Sequence, residues 1–382
     1  MRAAWAAVGV FALTCPLLWR SGPDGDVVEL RRYGHAVLDG RLPYRDFRLE
    51  YPPGSILLFT PPALGHYVTW FRLENAVGWA LVIVLVAALR PSSRLLLAGV
   101  ALTPLALGPF ALMRFDPWAT ACALGAVLAQ VRRRPTAAAA LLAAGTLVKV
   151  WPVVLLPLFL LYGLPRRALA VFAAVVVAAL APFAVLAPQN SFDAFVAQLH
   201  RPLEFEAIGA SALLALDRPV RIFFDSGSWS VAGSGADVLA TAHGLVEVAV
   251  VAGVVWLFAR SRRTAPRLLA AAATVVAAVA VLGKVLSPQY LLWLAPFAAL
   301  AGAAAFAPFA AAALATRVVH DSWTGRPQPE DTATVAFLGA RNALLLVTIA
   351  LLLRQTFRSL RPDREGAPVA SPSLARDRRC TP

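Results

Sequence analysis

Long apolar runs recur along nearly the whole chain, and they restrict its fold more than any other feature of the sequence. A helix needs about 20 apolar residues to cross the hydrocarbon layer of a membrane. Runs of this kind occupy residues 3–19, 73–89, 95–113, 117–131, 136–162, 168–186, 238–259, 268–283, 291–319 and 336–353. Hydrophobic residues make up 59% of the 382 residues, whereas soluble domains have about 45–50%. The sequence therefore predicts an all-α polytopic membrane protein whose residues 1–353 form one transmembrane domain.

The basic residues cluster in the short segments between these runs. The net charge is +14, which in a soluble protein would suggest a nucleic-acid partner. Here the arginines concentrate at residues 90–94, 132–134, 166–167 and 260–267 and in the tail 354–382. Short loops rich in Lys and Arg stay in the cytoplasm, so we assign these segments to that side and expect no nucleic acid. The tail is predicted to be a disordered, basic cytoplasmic segment.

These assignments can be satisfied together if the N-terminus is inside and residues 20–72 and 187–237 form external loops. Two runs must then turn back within the membrane. One is residues 136–162, with a break near Lys149 and Pro152, and the other is residues 291–319, with a turn between Gly302 and Pro308. The total is about ten to twelve crossings. Residues 54–70 are apolar but contain proline pairs, so the first external loop is expected to carry interfacial or re-entrant helices.

Four groups of polar residues fall on the external side of this topology. Asp24 and Asp26 follow the first run, where a carboxylate can act as a general base or cap a helix that starts near Val27. The other groups are Arg114 with Asp116, then His200, Arg201 and Glu206, then Lys284 and Gln289. Taken singly, Arg114 and Asp116 can be a mutual ion pair, and Lys284 can snorkel to lipid headgroups.

Taken together, these groups favour a functional site, because ionisable residues at membrane depth usually have a role. An acid can accept a proton, and Arg, Lys and His can bind a phosphate as charged donors. The combination suits a membrane enzyme that uses a lipid phosphate. No spacing motif indicates a metal or another cofactor, although Asp26, Asp116 and Glu206 are oxygen donors that would suit a divalent cation if they met.

Several short motifs resemble those of a known group of enzymes. They are Asp26 followed by Tyr33 and Gly34, GRLPYRDF at 40–47, EYPPG at 50–54, RFD at 114–116, Lys149 before Trp151 and Pro152, HRPL at 200–203 with Glu206, and KVLSPQYLLW at 284–293. In these motifs the chain resembles the GT-C glycosyltransferases, closest to family 87, the polyprenyl-phosphate-mannose-dependent mannosyltransferases. It departs from the usual pattern at Leu30 and in residues 204–207.

The resemblance implies a GT-C-like helical bundle that catalyses transfer of a hexose, mannose, from a polyprenyl phosphate to a lipid or glycan acceptor. The sugar would pass by a single displacement with inversion on the outer face of the inner membrane, among membrane lipids. Asp26 would be the general base, with Asp24 as the alternative. The residues implied for the donor phosphate or sugar are Arg114, Asp116, His200, Arg201, Glu206, Lys284 and Gln289. The residues implied for the structure of the first loop are Tyr44, Arg45, Asp46, Glu50 and Tyr51.

Three other classes remain open from the residues alone. A transporter or flippase of lipid-linked sugars also carries charges near the membrane, but would be expected to show internal repeats and broken helices at the midplane. A membrane phosphatase or acyltransferase would be expected to show a nucleophile or a paired acid–base motif. A non-catalytic membrane protein would not need acidic and basic groups on one face.

Overall fold

The computed structural model describes residues 2–360, apart from residues 20, 21, 23, 91, 92, 191, 217, 226 and 323–330. Its helices are α1 (Arg2–Leu18), α2 (Gly25–Leu38), α3 (Ile56–Phe59), α4 (Tyr67–Leu89), α5 (Arg94–Leu107), α6 (Asp116–Val131), α7 (Pro135–Val148), α8 (Leu156–Tyr162), α9 (Arg166–Leu186), α10 (Asp193–His200), α11 (Ile208–Ala215), α12 (Ala236–Ala259), α13 (Ala265–Val281), α14 (Tyr290–Ala301), α15 (Ala303–Ser322) and α16 (Thr332–Leu360). Short 3₁₀ turns occupy Pro53–Ser55, Pro61–Leu64, Pro109–Leu112 and Trp151–Leu155. The strands are β1 (Leu203–Glu204), β2 (Val220–Asp225) and β3 (Ser228–Gly233).

Helices α4, α9, α12, α15 and α16 are each long and apolar enough to cross a membrane. The clearest case is α9, whose most apolar window has a mean hydropathy of 2.7 and no buried residue. Large side chains such as Val177 and Val185 point away from the protein. A continuous apolar surface of this kind is stable against lipid and unfavourable against water. The prediction of an all-α polytopic membrane protein is confirmed.

Helices α13 and α14 form the centre of the bundle. Alanines fill most of the buried face of α13, at residues 270–273, 277, 278 and 280. Such small side chains let neighbouring helices approach closely, which is how transmembrane helices pack where no hydrophobic effect drives them together. Nearly every residue of α14 is buried as well. The peripheral helices α9 and α12 have almost no fully buried residues in their most apolar windows, so they present the largest apolar surface to lipid.

The predicted reversal within residues 291–319 is present, and a single glycine makes it. Helix α14 ends before Gly302, whose φ of +126° is a backbone conformation that side-chain-bearing residues rarely adopt. Tyr290 at the start of α14 and His320 near the end of α15 line the same cavity. The turn lies at the other end of the bundle, where Arg90 at the end of α4 donates a hydrogen bond to the carbonyl of Leu300.

The predicted break near Lys149 is also present. Helix α7 ends at Val148, and a 3₁₀ turn that starts at Trp151 leads into α8. The guanidinium of Arg133, just before α7, lies 5.3 Å from the ring centroid of Tyr162, the last residue of α8. The chain therefore returns to the end of the bundle from which α7 started. The two halves are each too short to be counted as a full span, and Lys149 at the break is buried.

The arginine clusters gather at the end of the bundle opposite to the cavity. Arg90 and Arg133 lie there, and Gln355 near the end of α16 donates a hydrogen bond to the carbonyl of Ala301 at the Gly302 turn. The alternation of the helices follows the distribution of arginines along the chain. The external side in the sequence-based topology is thus the cavity end of the molecule.

Some predicted boundaries differ from the structure. A helix does lie between the proline pairs, as expected, but α4 begins at Tyr67 and not at residue 73. The sequence places Arg72 at the end of the external loop, just before the apolar run. In the structure Arg72 is buried within α4 and donates to the carbonyl of Trp19 at the end of α1, at 3.0 Å. Helix α16 continues to Leu360, beyond the expected end at residue 353. The rest of the predicted tail, residues 361–382, lies outside the described residues.

The external segment 187–237 contains structure that the sequence did not predict. Helices α10 and α11 and the antiparallel sheet β1-β3-β2 lie within it. Glu204 of β1 pairs with Ser230 of β3, and β2 pairs with β3 as a hairpin. The strands are short and do not alternate cleanly between apolar and polar residues, so their pattern is weak in sequence. The sheet covers the cavity end of the bundle.

Candidate functional site

A cavity of about 1400 Å³ opens at this end of the bundle, between α2, the first loop, α12, the sheet and the segment that connects α13 to α14. Ligand pockets typically occupy about 300–1,000 Å³, so this space has room for more than one ligand group. Its ionisable lining residues are Asp24, Asp26, Glu29, Tyr33, Glu50, Tyr51, Arg114, Lys149, Arg201, Glu204, Glu206, Glu247, Lys284, Tyr290 and His320. Both signs of charge therefore face one space.

Two aspartates and one arginine form the first wall, which we call the aspartate wall (Asp24, Asp26 and Arg114). Asp24 caps α2, because its Oδ1 accepts from the backbone N–H of Val27 at 3.0 Å. Its Oδ2 lies 2.7 Å from Arg114 Nη1, and Asp26 Oδ2 lies 3.0 Å from Arg114 Nη2. Asp24 thus commits both oxygens to structure. Asp26, in the first turn of α2 as expected, commits one oxygen to the ion pair and faces the cavity.

Arg114 and Asp116 do not pair with each other, so that reading of the sequence is wrong. Asp116 begins α6, where the positive end of the helix dipole favours a carboxylate. Its side chain points inward and is completely buried. It does not line the cavity but supports Lys149, which does, so a role of Asp116 in the donor site stays a prediction.

A buried ion pair forms the floor of the cavity, the lysine floor (Lys149, Asp116 and Trp293). Lys149 ends α7 as its C-cap, and its Nζ lies 2.7 Å from Asp116 Oδ1. Trp293 Nε1 donates to the same oxygen at 2.5 Å. The end of α7 and the start of α6 thus bring opposite charges to opposite dipole ends. Unlike Asp116, Lys149 reaches the cavity, and the sequence reasoning did not single it out as a site residue.

Aromatic rings enclose the lysine floor. The Lys149 ammonium lies 5.2–6.0 Å from the ring centroids of Tyr51, Phe115, Tyr290 and Trp293, within the range of cation–π attraction. Trp293 also stacks on Tyr290 and Trp151, with centroid distances of 3.9 Å and 5.1 Å. The packed rings surround the ammonium on the protein side and fix the geometry of the ion pair.

The first loop holds Tyr51 and Glu50 at this floor. A Cβ at Gly54 would lie 2.7 Å from the carbonyl oxygen of Leu147, so only glycine lets the loop approach the end of α7. Tyr44 has φ +66°, a rare conformation for its residue type. Its hydroxyl donates to the carbonyl of Tyr51 at 2.6 Å.

The turn that contains Tyr44 is closed by the next two residues. Asp46 Oδ2 accepts from the backbone N–H of Leu42 at 2.7 Å, and Arg45 Nε lies 2.9 Å from Asp46 Oδ1. Tyr44, Arg45 and Asp46 stay outside the cavity, whereas Glu50 and Tyr51 line it. Burial raises the pKa of the Glu50 carboxyl, with Arg48 and Arg201 opposing this effect.

The opposite wall contains Arg201, Glu204, Lys284 and Gln289. Arg201 Nη2 donates to Ser228 Oγ at 2.6 Å, and Lys284 Nζ donates to the carbonyl of Leu199 at 2.7 Å. Burial and the neighbouring Arg201 lower the pKa of Lys284. Gln289 lines the cavity and accepts from Ser287 Oγ at 2.9 Å.

His200 is not part of this wall. It ends α10, is exposed, and does not line the cavity, so its expected place in the donor site stays a prediction. Arg201, the next residue, lines the cavity instead. Consecutive residues at a helix end point in different directions, and sequence spacing alone does not predict which of them faces the cavity.

Glu206 belongs to a buried network that joins the sheet region to α16. Its carboxylate pairs with Arg341 and lies 3.3 Å from His320 Nε2. Its backbone carbonyl accepts from Arg341 at 2.6 Å and from Asn342 at 3.1 Å. Burial opposes ionisation, but Arg341 and His320 outweigh it and lower the pKa of Glu206. Sequence reasoning missed Arg341, although a lone arginine inside the apolar run 336–353 is a signal of a buried partner.

An apolar groove continues from the cavity along α12. Ala240, Gly244, Leu245 and Val248 of α12 and Val154 after Lys149 line it. Leu245 and Val248 are each 67% exposed on this long apolar helix. The cavity therefore reaches the apolar surface of α12.

Among the described residues, no group of three or more His, Cys, Asp and Glu side chains lies close enough to hold a metal ion. Asp26, Asp116 and Glu206, which were considered as possible metal ligands, do not meet. Each of the three carboxylates has a basic partner of its own instead.

Comparisons with known proteins agree with the resemblance seen in the motifs. The profile of glycosyltransferase family 87 matches residues 49–288, more than half of the chain. The match includes Arg114, Lys149, Arg201, Glu204, Glu206 and Lys284 of the cavity. A search of curated proteins gave no match. The chain therefore belongs to glycosyltransferase family 87, and it is a membrane glycosyltransferase.

Proposed function

We propose that this glycosyltransferase transfers a hexose from a polyprenyl phosphate to a hydroxyl group of a lipid or glycan acceptor, and that this hexose is mannose. One observation carries the proposal. A single cavity has a half-exposed carboxylate on one wall, cations on its floor and opposite wall, and an apolar groove that reaches the lipid-facing surface. This substrate class requires a base for the acceptor hydroxyl, a site for the donor phosphate and a groove for a long hydrocarbon chain.

Asp26 is the proposed general base. It takes the proton of the acceptor hydroxyl while that oxygen forms a bond to the anomeric carbon of the sugar. The bond from the anomeric carbon to the phosphate oxygen breaks at the same time, and the lipid phosphate leaves with the electron pair. Attack opposite to the leaving group inverts the configuration. Asp24 is less suited to the role, because both of its oxygens hold α2 and Arg114.

The donor phosphate is proposed to lie between the lysine floor and the opposite wall. Lys149, Arg201 and Lys284 are cations there, already oriented by partners that do not belong to the substrate. Donors fixed in advance stabilise charge that develops on a leaving oxygen without reorganising during the reaction. The polyprenyl chain would follow the groove on α12, where each buried methylene contributes about 0.8 kcal/mol.

The cavity is proposed to face the extracytoplasmic side of the inner membrane, because the arginine clusters lie at the other end of the bundle. Single cysteines at Asp39 and Thr264, in a chain without Cys15, Cys122 and Cys380, test this. A membrane-impermeant maleimide should label Asp39→Cys in intact cells, and Thr264→Cys only after the membrane is opened. The reverse pattern would place the cavity in the cytoplasm.

Transfer assays with purified full-length protein in lipid nanodiscs test the activity itself. Asp26→Asn should lower turnover of mannosyl transfer from polyprenyl-phosphate mannose by about 10²–10⁴-fold, the usual contribution of a general base. Donor affinity should remain close to wild type. Asp39→Asn is a matched control, since Asp39 is an exposed acid at the other end of α2. If Asp26→Asn retained full turnover, the general-base role would be wrong.

A further inference from the structure

Glu204 is the acidic residue of the cavity with the most unusual surroundings. It lies on β1, and its side chain is only 4% exposed. Its backbone N–H donates to the carbonyl of Lys284 at 2.9 Å, and it faces Ser230 across the sheet. The backbone is therefore fixed from two sides, and the carboxyl has a defined position in the cavity wall.

The Glu204 carboxyl lacks the partners that a buried carboxylate requires. The backbone N–H of Leu286 is directed to it. Its Oε2 is completely buried, and it has no hydrogen-bond partner among the residues that the structure describes. Leaving a buried charged oxygen unpaired costs more than leaving a neutral one unpaired. The other buried acids of the site, Asp116 and Glu206, each accept from a basic side chain.

Within the part of the chain that the structure describes, the charged groups around Glu204 do not form an ion pair with it. Six ionisable groups among the described residues face Glu204. They are Arg201 and Glu206 next to it in sequence, Glu247 on α12, Arg341 on α16, Lys284 between α13 and α14, and Tyr290 at the start of α14. Arg201 is hydrogen-bonded to Ser228, and Arg341 to Glu206. Burial, reinforced by Glu206, raises the pKa of Glu204 to about 7 even though Arg201, Leu286 and Arg341 oppose the shift. The protonated form thus extends well above the ordinary range of a glutamate.

We infer that Glu204 is a neutral carboxylic acid that donates its O–H to a phosphate oxygen of the lipid-phosphate donor. The inference rests on the function proposed above and assigns a further contact within that site. A protonated carboxyl has one O–H to give, and an O–H donor to an anionic oxygen makes a short, strong hydrogen bond. An ionised Glu204 would repel the same phosphate. Only the neutral form can therefore contact a phosphate that Arg201 and Lys284 also bind.

The proton stays on Glu204 throughout, so the step requires no further reactant. As the bond from the sugar to the phosphate breaks, the phosphate oxygens gain negative charge. A hydrogen bond to them becomes stronger in the transition state than in the ground state, which lowers the barrier. Ionisation of Glu204 at alkaline pH removes the donor and introduces a repulsive charge together. Transfer should therefore be lost as pH rises through the pKa of Glu204.

The variants Glu204→Gln and Glu204→Ala distinguish this role from a structural one. Gln keeps an N–H donor at every pH, whereas Ala has none. Turnover and KM for polyprenyl-phosphate mannose would be measured in nanodiscs from about pH 5.5 to about pH 9. Wild type should lose activity above about pH 7, by up to tenfold for each further pH unit. Glu204→Gln should retain activity within a few-fold at pH 6 and lack that alkaline decline.

Glu74→Gln is the matched control, because Glu74 is half-buried on α4 and does not line the cavity. It should keep the alkaline decline of wild type. Glu204→Ala should be about 10²-fold less active, as for loss of one preorganised donor. If Glu204→Ala does not fold, the comparison of Glu204→Gln with wild type still decides.

The outcomes separate this inference from the proposed function. If wild type transfers no mannose at any pH, the proposed function itself fails. If wild type is active and Asp26→Asn is not, but Glu204→Gln keeps the wild-type decline or Glu204→Ala keeps full activity, only the role of Glu204 is overturned. An infrared signal of a protonated carboxyl that persists in wild type at about pH 6 and disappears in Glu204→Gln supports the neutral acid directly. Its absence in wild type would contradict it.

Discussion

The aspartate wall and the lysine floor line the same cavity, and both are built from acids paired with bases. They differ in their exposure. The side chains of Asp24 and Asp26 are 35% and 32% exposed and share one arginine. Asp116 is fully buried, Lys149 is 11% exposed, and aromatic rings surround the ammonium. One ion pair is open to exchange with solvent or substrate, whereas the other is closed.

This difference separates chemistry from preorganisation. An acid that takes a proton must be able to release its basic partner, and water or an acceptor hydroxyl can reach Asp26. A buried pair has already lost its hydration, and removing one partner leaves a charge that nothing else can neutralise. The lysine floor therefore holds a fixed charge beneath the substrate. The aspartate wall can change its partners during the reaction.

The largest expected effect comes from breaking the closed pair. Lys149→Met should lower the free energy of unfolding by about 3–5 kcal/mol, because Asp116 would remain buried and ionised without its partner. Chemical denaturation in detergent, followed by tryptophan fluorescence, measures this loss. Trp293 and Trp151 lie beside the site and report on it.

Lys284→Met provides the comparison for Lys149→Met. Lys284 also lines the cavity, but its Nζ contacts a backbone carbonyl at a more exposed position. Its removal should cost about 1 kcal/mol, as for an ordinary hydrogen bond. Equal losses of stability in the two variants would show that the lysine floor is not a closed pair.

The sequence predicted the positions of the main breaks because local chemistry determines them. Arginine clusters marked the opposite end of the bundle, and Gly302 and Lys149 lie where the apolar runs had to reverse. The start of α2 also followed from Asp24, Gly25 and Asp26, which form a capping pattern. Each of these features needs only neighbouring residues, so the sequence contains the required information.

The partners within the site could not be predicted in the same way. Arg341 contacts Glu206 across 135 residues of sequence, and Trp293 contacts Asp116 across 177. No local pattern specifies such pairs, because they depend on how the helices pack. The pairing of Arg114 with Asp116 was the simplest local interpretation, and it failed because the start of α6 turns Asp116 inward. The direction of the exposed His200 side chain likewise depends on how the end of α10 meets the next segment, and not on local sequence.

A smaller effect on stability and a large effect on activity are expected from Arg114. Arg114→Ala removes the shared partner of Asp24 and Asp26, but water can hydrate both carboxylates in its place. The free energy of unfolding should fall by about 1 kcal/mol, well below the loss for Lys149→Met. Turnover should fall by about 10²-fold, because Asp26 loses the contact that orients it. Thermal unfolding and transfer assays on the same preparation measure both. A loss of stability as large as that of Lys149→Met would remove the contrast between the two regions.

The pH dependence of stability should report on the opposite wall of the cavity, which contains Glu204. Glu204 has a raised pKa in the folded protein, so the folded state binds more protons than the unfolded state between its pKa in the unfolded chain and about 7. Stability from this residue is therefore present below about pH 4.3 and declines as pH rises to about 7. Glu204→Gln should lack that part of the decline in thermal unfolding curves. Identical curves for wild type and Glu204→Gln would show that Glu204 titrates normally.

The smallest effect expected is at Asp24, and it separates the two acids of the aspartate wall. Asp24 caps α2 through the N–H of Val27, and Asn is as good as Asp in this role. Asp24→Asn keeps the cap and loses only the partly exposed ion pair with Arg114, so the free energy of unfolding should fall by less than about 1 kcal/mol. Asp24→Ala removes the cap and should cost about 0.5–2 kcal/mol. In both variants Asp26 keeps its contact with Arg114 and its place in the first turn of α2, so turnover should fall only a few-fold. Turnover and thermal unfolding, measured together, test this. If Asp24→Asn abolished transfer while stability stayed intact, Asp24 would be the base, and the division of roles within the aspartate wall would be reversed.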